Sequence, residues 1–469
     1  MRRNIPNSKY KYSDQTICII GLKSKGASNI NTRRISWKKE EFARSPKQSC
    51  SVITSTFEFP TLEIGGWAFQ SIKDYDPSTE SYPFGGKYLY ARLGLPQHEK
   101  LASIISYLER VPGGVLTPSG VSASHLAVMF NLPAGATVLH SAPIYDCTRG
   151  AHDHIYPRLN IQSKTANFYD LKELERAIKK HKPYKLYCET PANPTMAMID
   201  LPKVYKLATK YKVRELVVDN TFASPIIQKP MEIVGHDPQK ILRIVHSGTK
   251  HFTGGLDGVC WGYASLIDWK EFPEMMVFQK DMGYNMSGID ADAVLQHGIP
   301  TLYSRVREQS KSALQVAKFL KKHPLIKTVN YPGIRPFKAL ADKYYTGEGY
   351  GSVVYFEFKE DIGKNMRESL AMSEAFGDII GLQSFICLAV SLGKVNTLIE
   401  NSFFMVHRFM SEEEKRKAGI SPFGWRLSVG SEAAEDIICD LKMAMELMRD
   451  KKYRRAIQRY KKKVGRPDS

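Results

Sequence analysis

Apolar and polar positions follow two rhythms along this chain. Between residues 97 and 300, apolar residues recur near every third to fourth position at 97–111, 121–132, 170–181 and 201–211, which predicts helices. Between these stretches lie short, almost wholly apolar runs at 136–141, 184–190, 215–220 and 241–247. Apolar strands alternating with helices predict a mostly parallel sheet covered on both faces, with its site at the carboxyl ends of the strands. Beyond residue 300 come a long helical pattern at 301–323, strand-like text at 351–358 and 426–430, and a terminal helix, which together predict a second, smaller α/β domain. Residues 1–94 show no long helical period. They read as an extended arm with short strands, such as 16–21 and 51–59. The expected organisation is an N-terminal arm (1–94), a main domain (95–302), a C-terminal α/β domain (303–450) and a basic tail (451–469).

Composition adds mainly exclusions. The chain has 469 residues, 43% hydrophobic and 25% charged, which is globular rather than disordered. No apolar run is long enough to span a membrane. Seven cysteines without a CxxC pair exclude a disulfide scaffold and a zinc ribbon, so no metal is expected and a reducing, cytoplasmic setting is. The net charge of +19 sits almost wholly at the ends. Residues 1–39 hold ten Lys or Arg against one acid, and residues 451–469 hold nine against one. Solvated chain ends are the plainer reading and the favoured one. Contact with an anionic surface such as RNA, DNA or lipid is the sharper alternative.

The predicted strand ends carry the candidate chemistry. ELVVDNTF places Asp219 just past an apolar strand, where a carboxylate is costly without a cation. ILRIVHSGTKH places Ser247, Thr249 and Lys250 after the next strand, and a partly desolvated lysine is a good nucleophile. PSGVSASH (118–125) is a glycine-containing turn entering a helix, which offers N–H groups to a phosphate. Phosphate cradle, reactive lysine and buried acid are the three handles of pyridoxal phosphate.

Motifs then follow in a familiar order. VVDNTFASPIIQKP, HSGTKHFTGGLD, CETPANPTMAMIDL, YARLGLPQ, SLGKVNTL and WRLSVGSE resemble those of the cysteine/methionine-metabolism family of pyridoxal-phosphate enzymes, from about Thr16 to Met448. The resemblance implies an aspartate-aminotransferase-like architecture (fold type I), with a mostly parallel sheet flanked by helices. It implies that Lys250 bonds the cofactor and later moves protons, and that Asp219 pairs with the pyridine nitrogen. Asn193 would bond the ring's phenolic oxygen, and Tyr145 would stack on the ring and act as an acid/base. Gly120, Val121, Ser247 and Thr249 would hold the phosphate. Tyr90 and Arg92 would reach the phosphate of a neighbouring subunit, so the family pattern implies a homodimer as the catalytic unit and commonly a tetramer. Arg426 would clamp the substrate carboxylate with help from Ser391. Cys147 and Val390 would line the pocket for the γ-substituent. The implied activity is carbon–sulfur cleavage of a sulfur amino acid, methionine or an analogue. Cleavage or synthesis of cystathionine, sulfhydrylation of an activated homoserine, and a polyanion-binding protein on an enzyme scaffold are the alternatives. Leu95, Gln97, Asp146, Arg149, Gly255 and Asn396 depart from the family pattern.

Overall fold

The computed structural model describes residues 52–59, 61–73, 88–406, 411–417 and 419–464. The strand-like stretch at 16–21 and the basic residues before position 40 lie outside the described residues. The chain divides into two compact units. The first comprises the described residues of 1–141, 147–189 and 200–304, and the second those of 142–146, 190–199 and 305–469.

The first unit contains, in order, α1 (Leu62–Lys73), α2 (Pro96–Glu109), β1 (Gly114–Thr117), α3 (Gly120–Met129), β2 (Thr137–Ser141), β3 (Gln162–Ala166), α4 (Leu171–His181), β4 (Lys185–Glu189), α5 (Leu201–Lys210), β5 (Glu215–Asp219), β6 (Leu242–Ser247), β7 (Gly262–Ser265) and α6 (Phe272–Asp281). Its seven strands form one sheet in the order β1-β7-β6-β5-β4-β2-β3. β6, β5, β4, β2 and β3 run parallel, while β7 lies antiparallel between β6 and β1. The central strands are buried on both faces; Leu186, Tyr187, Leu216, Val217, Val218, Leu242, Ile244 and Val245 have no exposed surface. That burial is why they read as unbroken apolar runs. α1 corrects the expectation of an arm without long helices. It is short, and two adjacent glycines, Gly65 and Gly66, which disfavour helix, sit near its start. The run at 52–59 is likewise not a strand; its described residues form only an isolated bridge, between Thr56 and Tyr90.

An ionic cluster ties the amino ends of three neighbouring strands together. Glu215 of β5 pairs with Lys185 of β4 at 3.1 Å and with Arg243 of β6 at 2.5 Å, and Arg243 also reaches Glu271 at 3.0 Å. Lys185 further donates to the carbonyls of Ala127 and Phe130. Burial pushes the Glu215 carboxyl up, but Arg243 and Lys185 outweigh it and leave the group below the usual carboxylate range.

A second buried carboxyl behaves oppositely. Glu99 of α2 accepts from the Tyr88 hydroxyl at 2.5 Å. Burial raises its pKa from 4.5 to about 7, with the Tyr88 bond opposing. A raised value means that the folded state holds this proton more tightly than the unfolded chain. Its stabilising contribution is therefore full below pH 4.5 and is lost as the pH rises through about 7. Glu99→Gln should flatten the fall of melting temperature across that window. An unchanged slope in a pH series of thermal melts would assign the dependence elsewhere.

The second unit contains α7 (Ile299–Lys322, from Arg305 onward), β8 (Ile326–Asn330), α8 (Lys338–Tyr344), β9 (Val353–Phe358), α9 (Met366–Gln383), β10 (Cys387–Leu388), β11 (Leu398–Glu400), β12 (Gly424–Ser428), α10 (Ala434–Leu447) and α11 (Lys451–Val464). Its sheet has the order β10-β11-β12-β9-β8 and is antiparallel except for the β10–β11 pair. α9 lies so close to Trp425 of β12 that a Cβ at Gly377 would meet the indole at 2.3 Å. Phe356, Phe376, Trp425, Ile437 and Leu441 are among the core residues, and α11 joins that core through Ile457. Among the described residues, no helix is long and apolar enough to cross a membrane.

Candidate active site

The first unit assembles a cradle at the carboxyl ends of β5 and β6. Asp219 closes β5, and its Oδ1 accepts the Thr221 N–H at 2.9 Å. Its Oδ2 accepts the Tyr187 hydroxyl at 3.3 Å, and that hydroxyl also lies 3.0 Å from Ser124 Oγ. The Thr221 hydroxyl in turn accepts the N–H of Ser247 at 2.8 Å, linking the two strand ends. Burial pushes the Asp219 carboxyl up, while Thr221, His246 and Tyr187 pull against it. Tyr187 is itself held well above the usual phenol range by burial, so it remains a neutral donor.

Gly120 opens α3, whose cap is Ser119; the Ser119 Oγ accepts the Ser122 N–H at 3.1 Å. A Cβ at Gly120 would stand 2.4 Å from the Cβ of Ser247. Only glycine lets this helix start approach the end of β6 so closely. The N–H groups of Gly120 and Val121 belong to the first turn, which has no intrahelical acceptors for them. Lys250 follows three residues after β6, and its N–H donates to the Ser247 carbonyl at 3.2 Å. Its backbone (φ −84°, ψ −112°) is neither helical nor extended. Thr249 is tied to Trp261: its hydroxyl accepts the Trp261 N–H at 3.0 Å, and its own N–H donates to the Trp261 carbonyl at 3.1 Å.

The residues present fit pyridoxal phosphate. Asp219 is a carboxyl group whose donors from Thr221 and Tyr187 are neutral, which leaves it suited to a protonated ring nitrogen. The Gly120–Ser247 approach brings a helix start and a hydroxyl to one spot, as a phosphate needs.

The second unit holds a buried guanidinium among polar partners. Arg426 on β12 stands opposite Glu400 of β11 in the antiparallel register, and their side chains pair at 3.1 Å. Arg426 also donates to Asn193 Oδ1 at 2.8 Å and to the Ser391 carbonyl at 2.8 Å. With Asn193 Oδ1 engaged by arginine, the atom suited to donate to a phenolic oxygen is Nδ2. Ser391 has φ 96°, a left-handed value that is strained for serine. That conformation accompanies the carbonyl's contact with the guanidinium. Val390 precedes it and is 54% exposed. Tyr145, 36% exposed, lies in this unit's short segment 142–146.

The structure thus groups Gly120, Val121, Asp219, Ser247, Thr249 and Lys250 in one unit, and Asn193, Ser391 and Arg426 in the other. Cys147 is exposed at the start of the short helix 146–150. Tyr90 and Arg92 meet one another, with the Arg92 guanidinium 4.9 Å from the Tyr90 ring centroid. Tyr187, Thr221 and Glu400 escaped the sequence reading. Thr221 carried a signal, two residues past Asp219 in an Asp-initiated turn. Glu400 carried none, because its partner lies on a strand 26 residues later.

Three comparisons place this geometry among known proteins. A family model described as Cys/Met metabolism PLP-dependent enzyme matches residues 47–446. The chain is 33% identical over 399 residues to an L-methionine gamma-lyase of Fusobacterium nucleatum subsp. polymorphum, covering 84% of this chain and 92% of that one. It is 30% identical over 403 residues to a cystathionine beta-lyase of Bacillus subtilis, covering 85% and 97%. Among solved structures, a cystathionine gamma synthase from Xanthomonas oryzae pv. oryzae, in complex with aminoacrylate and cysteine, superposes with a TM-score of 0.76. That match has 27% identity and covers 96% of this chain and 100% of that one.

Proposed function

Because the chain belongs to the cysteine/methionine-metabolism family of pyridoxal-phosphate-dependent enzymes, we propose that it is a carbon–sulfur lyase that converts L-methionine or a close analogue, with one water, into 2-oxobutanoate, ammonia and a thiol. The bound cofactor supplies an electron-withdrawing ring that makes the substrate Cα–H acidic. Lys250 would hold that cofactor through its amine, and the same amine, once freed, would carry the proton taken from the substrate Cα. Asp219 would face the pyridine nitrogen, where its charge would favour a proton. Gly120 and Val121, through their N–H groups, and Ser247, through its hydroxyl, bind the phosphate. Arg426 binds the substrate carboxylate, for which a guanidinium fork suits it, with Glu400 fixing the fork. Tyr145 donates a proton to the departing sulfur. The same reading assigns Tyr90 and Arg92 to the phosphate of a second copy of the chain.

The observation that carries methionine over cystathionine is Val390. It is an exposed apolar side chain beside Ser391, whose carbonyl contacts the carboxylate clamp. Valine gives the distal ammonium of cystathionine no charged partner, so the water that the ammonium gives up on entering is not replaced. The test is the ratio of kcat/KM for methionine and cystathionine. Wild type should prefer methionine, and Val390→Glu should move the ratio toward cystathionine by at least about tenfold, roughly 1.4 kcal/mol. A wild-type preference for cystathionine would transfer the chain to the second reading, cystathionine cleavage, which its likeness to the Bacillus subtilis cystathionine beta-lyase favours.

A further inference from the structure

Helix α11 has two chemically different sides. Ile457 is buried in the core of the second unit, and Tyr453 packs against that core. On the flank of this apolar side, two bases are neutralised inside the unit. Arg454 pairs with Glu368 at 2.9 Å and donates to the Met448 carbonyl, and Lys461 pairs with Asp378 at 2.5 Å. At about 100° per residue, Lys451, Lys452, Arg455 and Arg459 fall within an arc of about 100° on the opposite side. All four are exposed. Among the described residues, no ion pair engages any of them. Lys451, Arg455 and Arg459 follow each other at about 6 Å along the helix axis. No acid and no aromatic ring shares the arc.

We propose that this outer face of α11 binds the phosphate backbone of double-stranded nucleic acid, without regard to base sequence. Four cations ordered along a rigid, docked helix offer charge-assisted bonds to a regular line of phosphates. The arc itself carries no aromatic ring for the stacking by which unpaired strands are gripped, Tyr460 lying outside it. A bilayer fits less well, because the helix has already spent Ile457 and Tyr453 on the core, and the half-exposed Tyr460 alone is little to insert among lipids. The inference stands on α11 alone and does not depend on the proposed lyase activity.

The test is anisotropy of a labelled duplex of about 20 base pairs, titrated with the full-length protein over a salt series. Four phosphate contacts give a slope of log K against log salt of about −3.6, hence an affinity loss of roughly 150-fold between about 50 and 200 mM salt. Replacing Lys451, Lys452, Arg455 and Arg459 together by glutamine should remove that slope, while 2-oxo acid release and the melting temperature stay unchanged. Should the fourfold variant melt lower, Lys451→Gln with Arg459→Gln should reduce the slope by about 1.8. No duplex binding at about 50 mM salt overturns the proposal. So does duplex binding that neither variant weakens. Binding only to phosphatidylcholine vesicles containing about one third phosphatidylserine overturns it in favour of a membrane surface.

Discussion

Lys250→Ala should leave a folded protein that purifies with little or no retained yellow cofactor and releases 2-oxo acid at least about a thousandfold more slowly, a loss of roughly 4 kcal/mol in barrier. Lys250→Arg should lose as much, because it keeps the positive charge and gives up the amine that bonds and moves protons. The reason lies in the local backbone. Lys250 leaves the end of β6 in a conformation that is neither helical nor extended, and its N–H is fixed on the carbonyl of Ser247, itself a phosphate ligand in this reading. Borohydride reduction of the wild-type protein, followed by peptide mapping, should place the label on the peptide containing Lys250. A label on any other lysine would remove that residue from the mechanism.

The second large effect belongs to Asp219→Asn. Asparagine keeps the size of the side chain and an oxygen for Thr221 or Tyr187, but it carries no charge to hold a proton on the ring nitrogen. The Gly120–Ser247 cradle is untouched, so the variant should retain substantial bound cofactor. kcat should fall by at least about a hundredfold, roughly 2.7 kcal/mol. A kcat within about threefold of wild type would show that the carboxylate is structural only. Because bound cofactor and turnover are measured separately, a failure to bind is distinguishable from a failure to react.

The central sheet and the positions of its candidate site residues were legible because the same strands carry both. β4, β5 and β6 are buried on both faces, so they appear as apolar runs, and the polar residues that end them stand out. Elements lacking such contrast were not legible. β3 is a largely exposed edge strand of polar residues. β7 is only GYAS, and nothing in those four residues announces its reversed direction. α1 is short and carries two adjacent glycines, which disfavour helix. The partners of the chemistry were harder still. Tyr187 lies inside an apolar strand, where an aromatic residue is ordinary, and only the fold turns its hydroxyl onto Asp219. The grouping of residues 190–199 with the C-terminal half has no local signature, since it follows from contacts far apart in sequence.

The buried ions at the amino ends of the strands have a consequence for how this protein can be rebuilt from its relatives. Lys185, Glu215 and Arg243 each lie four residues before the last residue of their strand, and two of those last residues are Asp219 and Ser247. A strand displaced by two residues would strand a buried charge at several kcal/mol, a large part of a domain's whole stability. The ions thus act as a gauge that sets the candidate site's strand ends about 13 Å away, at about 3.3 Å per residue. In a gene-shuffling library, β4, β5 and β6 should therefore survive only when inherited as one block. The loops that follow them should tolerate exchange one at a time.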